Sequence, residues 1–256
     1  MSTPSEPQFL AADTSSDRRD TARSRPVVQQ NAAVRRGGPY RVALVSGGTS
    51  DPSSTRMLAD RIADQVARQA HERGAEIAIS VIDLRQLASE ITTAMVSQLI
   101  GPGLERAIEV MGAADGIIAA APVYMAQPSG LFSSFFHTLD NDLLIGKPVV
   151  LAATAGTARH ALVVDGEMRS LFAFLRTLTA PTSVFAASDD WNSTELGARI
   201  GRAAFELLLL MESGFAGAIR AGSWQRYQHE YGSAGDGGLD IAIDTDLMRL
   251  AAGGTA

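Results

Sequence analysis

The sequence predicts a three-layer α/β/α domain built on a five-stranded parallel sheet of order 2-1-3-4-5. Three observations lead there. Five apolar or β-branched segments alternate with helical ones between residues 41 and 213. The third, Gly116–Ala121, is continuously apolar, as strands covered on both faces are. The first runs into a small polar loop and then a helix, the start of a doubly wound fold. In this order the loops after strands one, three and four share one edge of the sheet.

Arg41–Val45 reads as the first, buried strand. The helix after it has Met57, Leu58, Ile62, Val66 and Ala70 on one face and ends at Gly74. Ala75–Ile82 alternates and is the second strand. A loop over Asp83–Ser89 leads to a weak helix, Ile91–Ile100, broken by Gly101-Pro-Gly103. Leu104–Ala114 is a short helix before the third strand. Ser129–Leu139 is a helix striped by Leu131, Phe132, Phe135, Phe136 and Leu139. Lys147–Thr154 is the fourth strand, Gly166–Leu178 a helix, Thr182–Ala187 the fifth strand and Thr194–Ser213 the closing helix. Residues 1–39 read as a disordered tail carrying Arg18, Arg19, Arg23, Arg25, Arg35 and Arg36. The domain spans 40–215. Residues 216–256 are a partly flexible C-terminal extension with Trp224, Tyr227 and a short helix around Asp244–Ala251.

Composition narrows the function. Apolar residues make up 46% of the 256, enough for a full core. A net charge of −6 without a basic helix face argues against nucleic acid. The absence of cysteine excludes disulfides, thiolate metal sites and a cysteine nucleophile, and it favours the cytoplasm. No apolar run reaches the ~20 residues of a membrane span. The four histidines, 71, 137, 160 and 229, are scattered, so no metal site is expected.

The candidate chemistry sits in three loops. Between Ser46 and Thr55 there are six hydroxyls and two glycines ahead of a helix N-terminus, whose unpaired N–H groups favour an anion. The loop has neither the G-K-[ST] ending of a Walker loop nor the G-x-G-x-x-G of a dinucleotide site. Ser46, Thr49, Ser53, Ser54 and Thr55 suit a terminal monophosphate ester instead. Helix capping is the other reading of these hydroxyls, and one would suffice for it. The second loop, Ala121–Gly130, is stiffened by Pro122 and Pro128 and places Tyr124 and Met125 at the mouth of the sheet. That surface suits a flat aromatic ligand, and Tyr124 as a core residue with a wet hydroxyl is the alternative. The third, Ala153–Leu162, carries Arg159 and His160, which serve ligand or dimer contacts, or acid–base work in the case of His160.

These residues carry a resemblance. Pro52-Ser-Ser-Thr-Arg56, Ala114-Asp-Gly-Ile-Ile118 leading to Pro122-Val-Tyr124, Ser129-Gly-Leu131, and Gly146-Lys-Pro-Val-Val150 running into Ala153-Thr-Ala-Gly-Thr157 and His160 resemble the NAD(P)H-dependent FMN reductases of the flavodoxin-like fold. Among these the chain is most similar to the actinobacterial reductases paired with luciferase-like monooxygenases, relatives of the alkanesulfonate-linked enzymes. The resemblance covers about residues 41–215. It implies that the hydroxyl loop holds the FMN phosphate. It places Pro122, Val123, Tyr124 and Gly130 along the isoalloxazine and ribityl chain, and Thr154, Gly156 and Thr157 on the other side. Arg159 and His160 then lie near the ring or a subunit boundary. It also implies a homodimer or a dimer of dimers, a neighbouring subunit closing each site, and delivery of reduced flavin to a monooxygenase. Pro128 stands where the family often has tyrosine at the tetramer interface, so dimer versus tetramer and the flavin release tied to the tetramer stay open; Ala155 stands where Gly-Gly is usual, a small loss of backbone freedom.

The expected reaction is hydride transfer from NADPH or NADH to FMN with no side-chain acid or base. The runners-up are a flavodoxin-type electron carrier and a reductase that keeps FMN and passes electrons to a quinone, azo dye or metal ion. A carrier would have a more acidic face and an aromatic stacked on the flavin, whereas Trp191 and Trp224 fall outside the flavin loops.

Overall fold

Every strand at the centre of the sheet is buried on both faces, and the alternation of its side chains assigns each face to a different helical layer. A computed structural model describes residues 38–222, which fall in one unit. The expected tail up to residue 37, Trp224, Tyr227 and the helix near Asp244 lie outside the described residues. Strands β1 (Tyr40–Ser46), β2 (Ile77–Asp83), β3 (Gly116–Tyr124) and β5 (Pro148–Ala155) run parallel in the order β2-β1-β3-β5. Strand β4 (Gln127–Pro128) folds back antiparallel on β3. Strands β6 (Leu178–Thr179) and β7 (Val184–Ala187) both pair with β5, so they share the fifth position. The order is therefore the expected 2-1-3-4-5, with its last strand in two pieces.

Val42 and Leu44 of β1 pack with α1 (Ser54–Glu72) and α6 (Thr194–Glu212), while Ala43 and Val45 face the other layer. That layer contains α2 (Ala88–Ser97), α3 (Pro102–Ala113), α4 (Gly130–His137) and α5 (Arg169–Phe174). Its densest point is aromatic. Phe136 lies 4.8 Å, ring centre to ring centre, from both Phe132 and Phe172, in tilted and edge-on pairs. Ala119, Ala120, Ala121, Ala152 and Ala153 line the centre of the sheet, where small side chains let helices approach closely. A last helix, α7 (Phe215–Gly222), sets Ile219 against Gly146 and crosses the boundary expected at residue 215. No helix among the described residues is long and apolar enough to cross a membrane.

Three local differences from the sequence-based expectation have physical causes. The helix expected over 166–178 stops at Phe174, because the Thr177 N–H and hydroxyl both donate to the Phe172 carbonyl, at 3.1 and 2.9 Å. It begins with a π turn, Val164–Met168. Next, Pro181 has no N–H for the ladder, and Thr182 turns outward to give its N–H and hydroxyl to the Glu206 carboxylate at 2.6 and 2.7 Å. The fifth strand is cut there. Finally, the loop expected over 121–130 contains a tight hairpin. Val123 pairs with Pro128 and Tyr124 with Gln127, and Met125 and Ala126 both take left-handed backbone, φ 51° and 61°.

Candidate functional site

The site lies at the carboxyl ends of β1, β3 and β5, where hydrogen bonds tie three loops to one another. The first loop leaves β1 at Ser46, which is buried. The Gly47 N–H donates to the Ala120 carbonyl at 2.8 Å, holding the loop against β3. A Cβ on Gly48 would lie 1.9 Å from Ser53 Oγ, so the loop closes this tightly over the helix start only with glycine there. Ser53 is the N-cap of α1, and its Oγ accepts from the Arg56 N–H at 3.2 Å. The N–H groups of Ser54 and Thr55 belong to the turn that has no acceptor within the helix. No acidic residue stands in that turn, although a carboxylate there would be favoured by the helix dipole. The positive end of α1 is left to an external anion.

Thr55 is buried, and its Oγ1 lies 2.7 Å from Oγ1 of Thr154, also buried, at the end of β5. These two hydroxyls bond each other and tie the helix start to the third loop. Ser54 is exposed. Thr49 Oγ1 reaches the Tyr124 hydroxyl at 3.3 Å, joining the first and second loops across the mouth. Tyr124 is half exposed, while Pro122 and Val123 are buried in β3. Gly130 opens α4, and a Cβ there would meet nothing within 4 Å. The same holds at exposed Gly156, beyond β5. The two glycines leave open space in front of backbone. Thr157 and Arg159 are exposed. Arg159 Nε donates to His160 Nε2 at 3.4 Å on a short 3-10 turn, Ala158–His160, and among the described residues neither bonds to the first or second loop.

Two features escaped the sequence reading. Ser129 is buried; its Oγ donates to the Gly47 carbonyl at 3.3 Å and accepts from the Phe132 N–H at 3.4 Å. It caps α4 and fixes the first loop at once, and its place one residue ahead of a Gly-started helix was the available signal. A cavity of about 160 Å³ beside the first loop is lined by Ser46, Gly48, Ser53, Arg56 and Arg85 among others. Arg85 bonds Asp51 at 3.4 Å and so reaches into the first loop from the end of β2. Nothing in the spacing of Asp51 and Arg85 announces that pair.

The donors, the open glycine walls and the half-exposed tyrosine fit a ligand with an anionic end and a flat body. The family model described as NADPH-dependent FMN reductase matches residues 40–192. The chain belongs to that family. It is 36% identical over 171 residues to an NADH-dependent FMN reductase, SfnE, of Pseudomonas putida, covering 65% of this chain and 89% of the relative. It is 34% identical over the same length to an NADPH FMN reductase of Pseudomonas aeruginosa, with the same coverage. Among solved structures, an oxidoreductase from Corynebacterium diphtheriae superposes with a TM-score of 0.67 at 40% identity, covering 69% of this chain and 99% of that one. An NADH:FMN oxidoreductase in its apo form shares the fold, TM-score 0.60 at 23% identity.

This FMN reductase is an oxidoreductase that uses FMN and NADPH or NADH. The chemistry FMN supplies when bound is acceptance of a hydride from the nicotinamide. The chain's own part is to bind, orient and shield. Among the described residues no cluster of His, Asp and Glu could hold a metal ion.

Proposed function

We propose that this FMN reductase releases its reduced flavin to a partner monooxygenase, as the actinobacterial two-component systems do. The observation that carries the reading is the openness of the site: Tyr124, Gly156, Thr157 and Arg159 are exposed around it, and no tryptophan among the described residues covers it. Trp191 packs instead under Arg61, 5.8 Å from the guanidinium carbon. A flavin held here is free to exchange. In this reading Ser46, Thr49, Ser53, Ser54 and Thr55 form the phosphate end, with Thr55 acting through its bond to Thr154. Pro122, Val123, Tyr124 and Gly130 line the ring and ribityl chain on one side, and Thr154, Gly156 and Thr157 on the other. Arg159 and His160 stand at the rim. We take residues 40–215 as the FMN-binding domain, in a cytoplasmic protein.

The enzyme acts as a homo-oligomer. Met125 is 95% exposed at the hairpin tip and Leu162 81% exposed at the end of the third loop, and an adjoining copy would cover both.

The test is NADPH and NADH oxidation in air with FMN added to desalted enzyme. The expected result is loss of flavin on desalting and a rate that saturates with free FMN. Flavin that stays bound through turnover while a quinone or azo dye is reduced would instead support the reductase that keeps its FMN.

A further inference from the structure

At the amino ends of the strands, away from the three loops, lies a cavity of about 380 Å³ between β1, β5, the end of α6 and α7. Lys147 forms part of its wall and is 1% exposed. Its Nζ donates to the carbonyls of Gly112 at 2.8 Å and Ala114 at 2.7 Å, at the end of α3. An ammonium has three donors. Among the described residues nothing takes the third, and no carboxylate hydrogen-bonds to this buried cation. Burial, with the Arg220 charge second, brings its pKa down to about 8, so the group is mostly charged at neutral pH. Buried charges are ordinarily paired.

Of the two carboxylates on the wall, Asp115 acts on the Lys147 charge without hydrogen-bonding to it, and both bond arginines. Asp115 Oδ2 accepts from the Arg41 N–H at 2.9 Å and lies 3.8 Å from its Nε. Both Glu212 oxygens bond Arg73, at 2.9 and 2.5 Å. Arg41 and Arg220 add positive charge to the same wall.

We propose that this cavity binds a small oxyanion, a phosphate or a carboxylate group, on Lys147 Nζ with Arg41 and Arg220 beside it. The α3 carbonyls explain two of the lysine's donors, and the anion takes the third. Nothing in the flavin chemistry uses this end of the sheet, so the site is separate from the reductase site.

The experiment is calorimetric titration of the full chain, saturated with FMN so that the first loop is filled. Inorganic phosphate and succinate are titrated in separate arms, and the arm that gives heat identifies the anion. One equivalent is expected to bind. Arg220→Glu, on an exposed position of α7, is expected to weaken binding at least tenfold with the rate of FMN reduction unchanged. Lys147→Met is expected to do the same. If Lys147→Met does not fold, Arg220→Glu decides alone. No heat from either anion in the wild-type protein overturns the proposal, and so does undiminished binding in Arg220→Glu.

Discussion

Gly48 and the hydroxyl pair Thr55–Thr154 do different work at the proposed phosphate end, and single substitutions separate it. A methyl on Gly48 would stand 1.9 Å from Ser53 Oγ, so Gly48→Ala must push the loop off the helix start. FMN should then bind at least tenfold more weakly while riboflavin, which has no phosphate, binds nearly as before. Equal weakening of both in titrations followed by flavin fluorescence would refute the phosphate assignment. Thr154→Val leaves the buried Thr55 hydroxyl without its 2.7 Å partner. The cost should be about 1–3 kcal/mol in urea denaturation. Lys147 gives a pH signature. Its folded-state pKa is lowered to about 8 from the ordinary 10.5, so carrying the charge penalises the folded state below pH 8. The penalty disappears as pH rises from about 8 to 10.5. Across that window the wild-type protein should gain stability over Lys147→Met by about 1.4 kcal/mol per pH unit. A difference that stays flat with pH would contradict the shift.

Among the elements, the β3–β4 hairpin departs furthest from ordinary turn chemistry. A two-residue turn with positive φ at both positions favours Asn-Gly, and here Met125 and Ala126 occupy it. Replacing the pair by Asn-Gly should stabilise the protein by about 1 kcal/mol or more, read from the urea midpoint. An unchanged or lower midpoint would refute the strain assigned to this turn. The same residues explain why the hairpin was not legible in the sequence: no glycine or asparagine marks it, and a loop was the natural expectation. The central strands were legible, because Gly116–Ala121 and Pro148–Ala153 are apolar without a break. The fifth strand was legible only in its second half. Its first half depends on Leu178–Thr179 pairing with Pro148–Val149, and its interruption depends on Glu206 in α6, far along the chain. In the candidate site, the hydroxyl loop could be read as an anion site from local spacing alone. Ser129 binding Gly47 and Thr55 binding Thr154 could not, since these contacts join residues 82 and 99 positions apart.

On the scale of the whole molecule, the apolar surface is uneven. Val96 is 84% and Leu99 68% exposed at the end of α2, with Met95 and Ile100 beside them. Such a run on the outside of a folded chain suits burial against another copy. Val96→Lys combined with Leu99→Asp should shift the sedimentation coefficient toward the monomer while circular dichroism stays the same. No change in sedimentation would refute a contact between copies at this face.

The bonds between the loops have a kinetic consequence. Gly47 to Ala120, Ser129 to Gly47, Thr49 to Tyr124 and Thr55 to Thr154 are all made by the chain alone. The entropy of arranging these segments is therefore spent during folding and not on each flavin encounter. Arrival of FMN need not wait for a segment to order, and departure need not unfold one. In the proposed role, where flavin is handed onward in every cycle, walls that keep the same shape full and empty are an advantage. Backbone amides around Gly47 and Ser129 should then exchange with deuterium at similar rates with and without FMN.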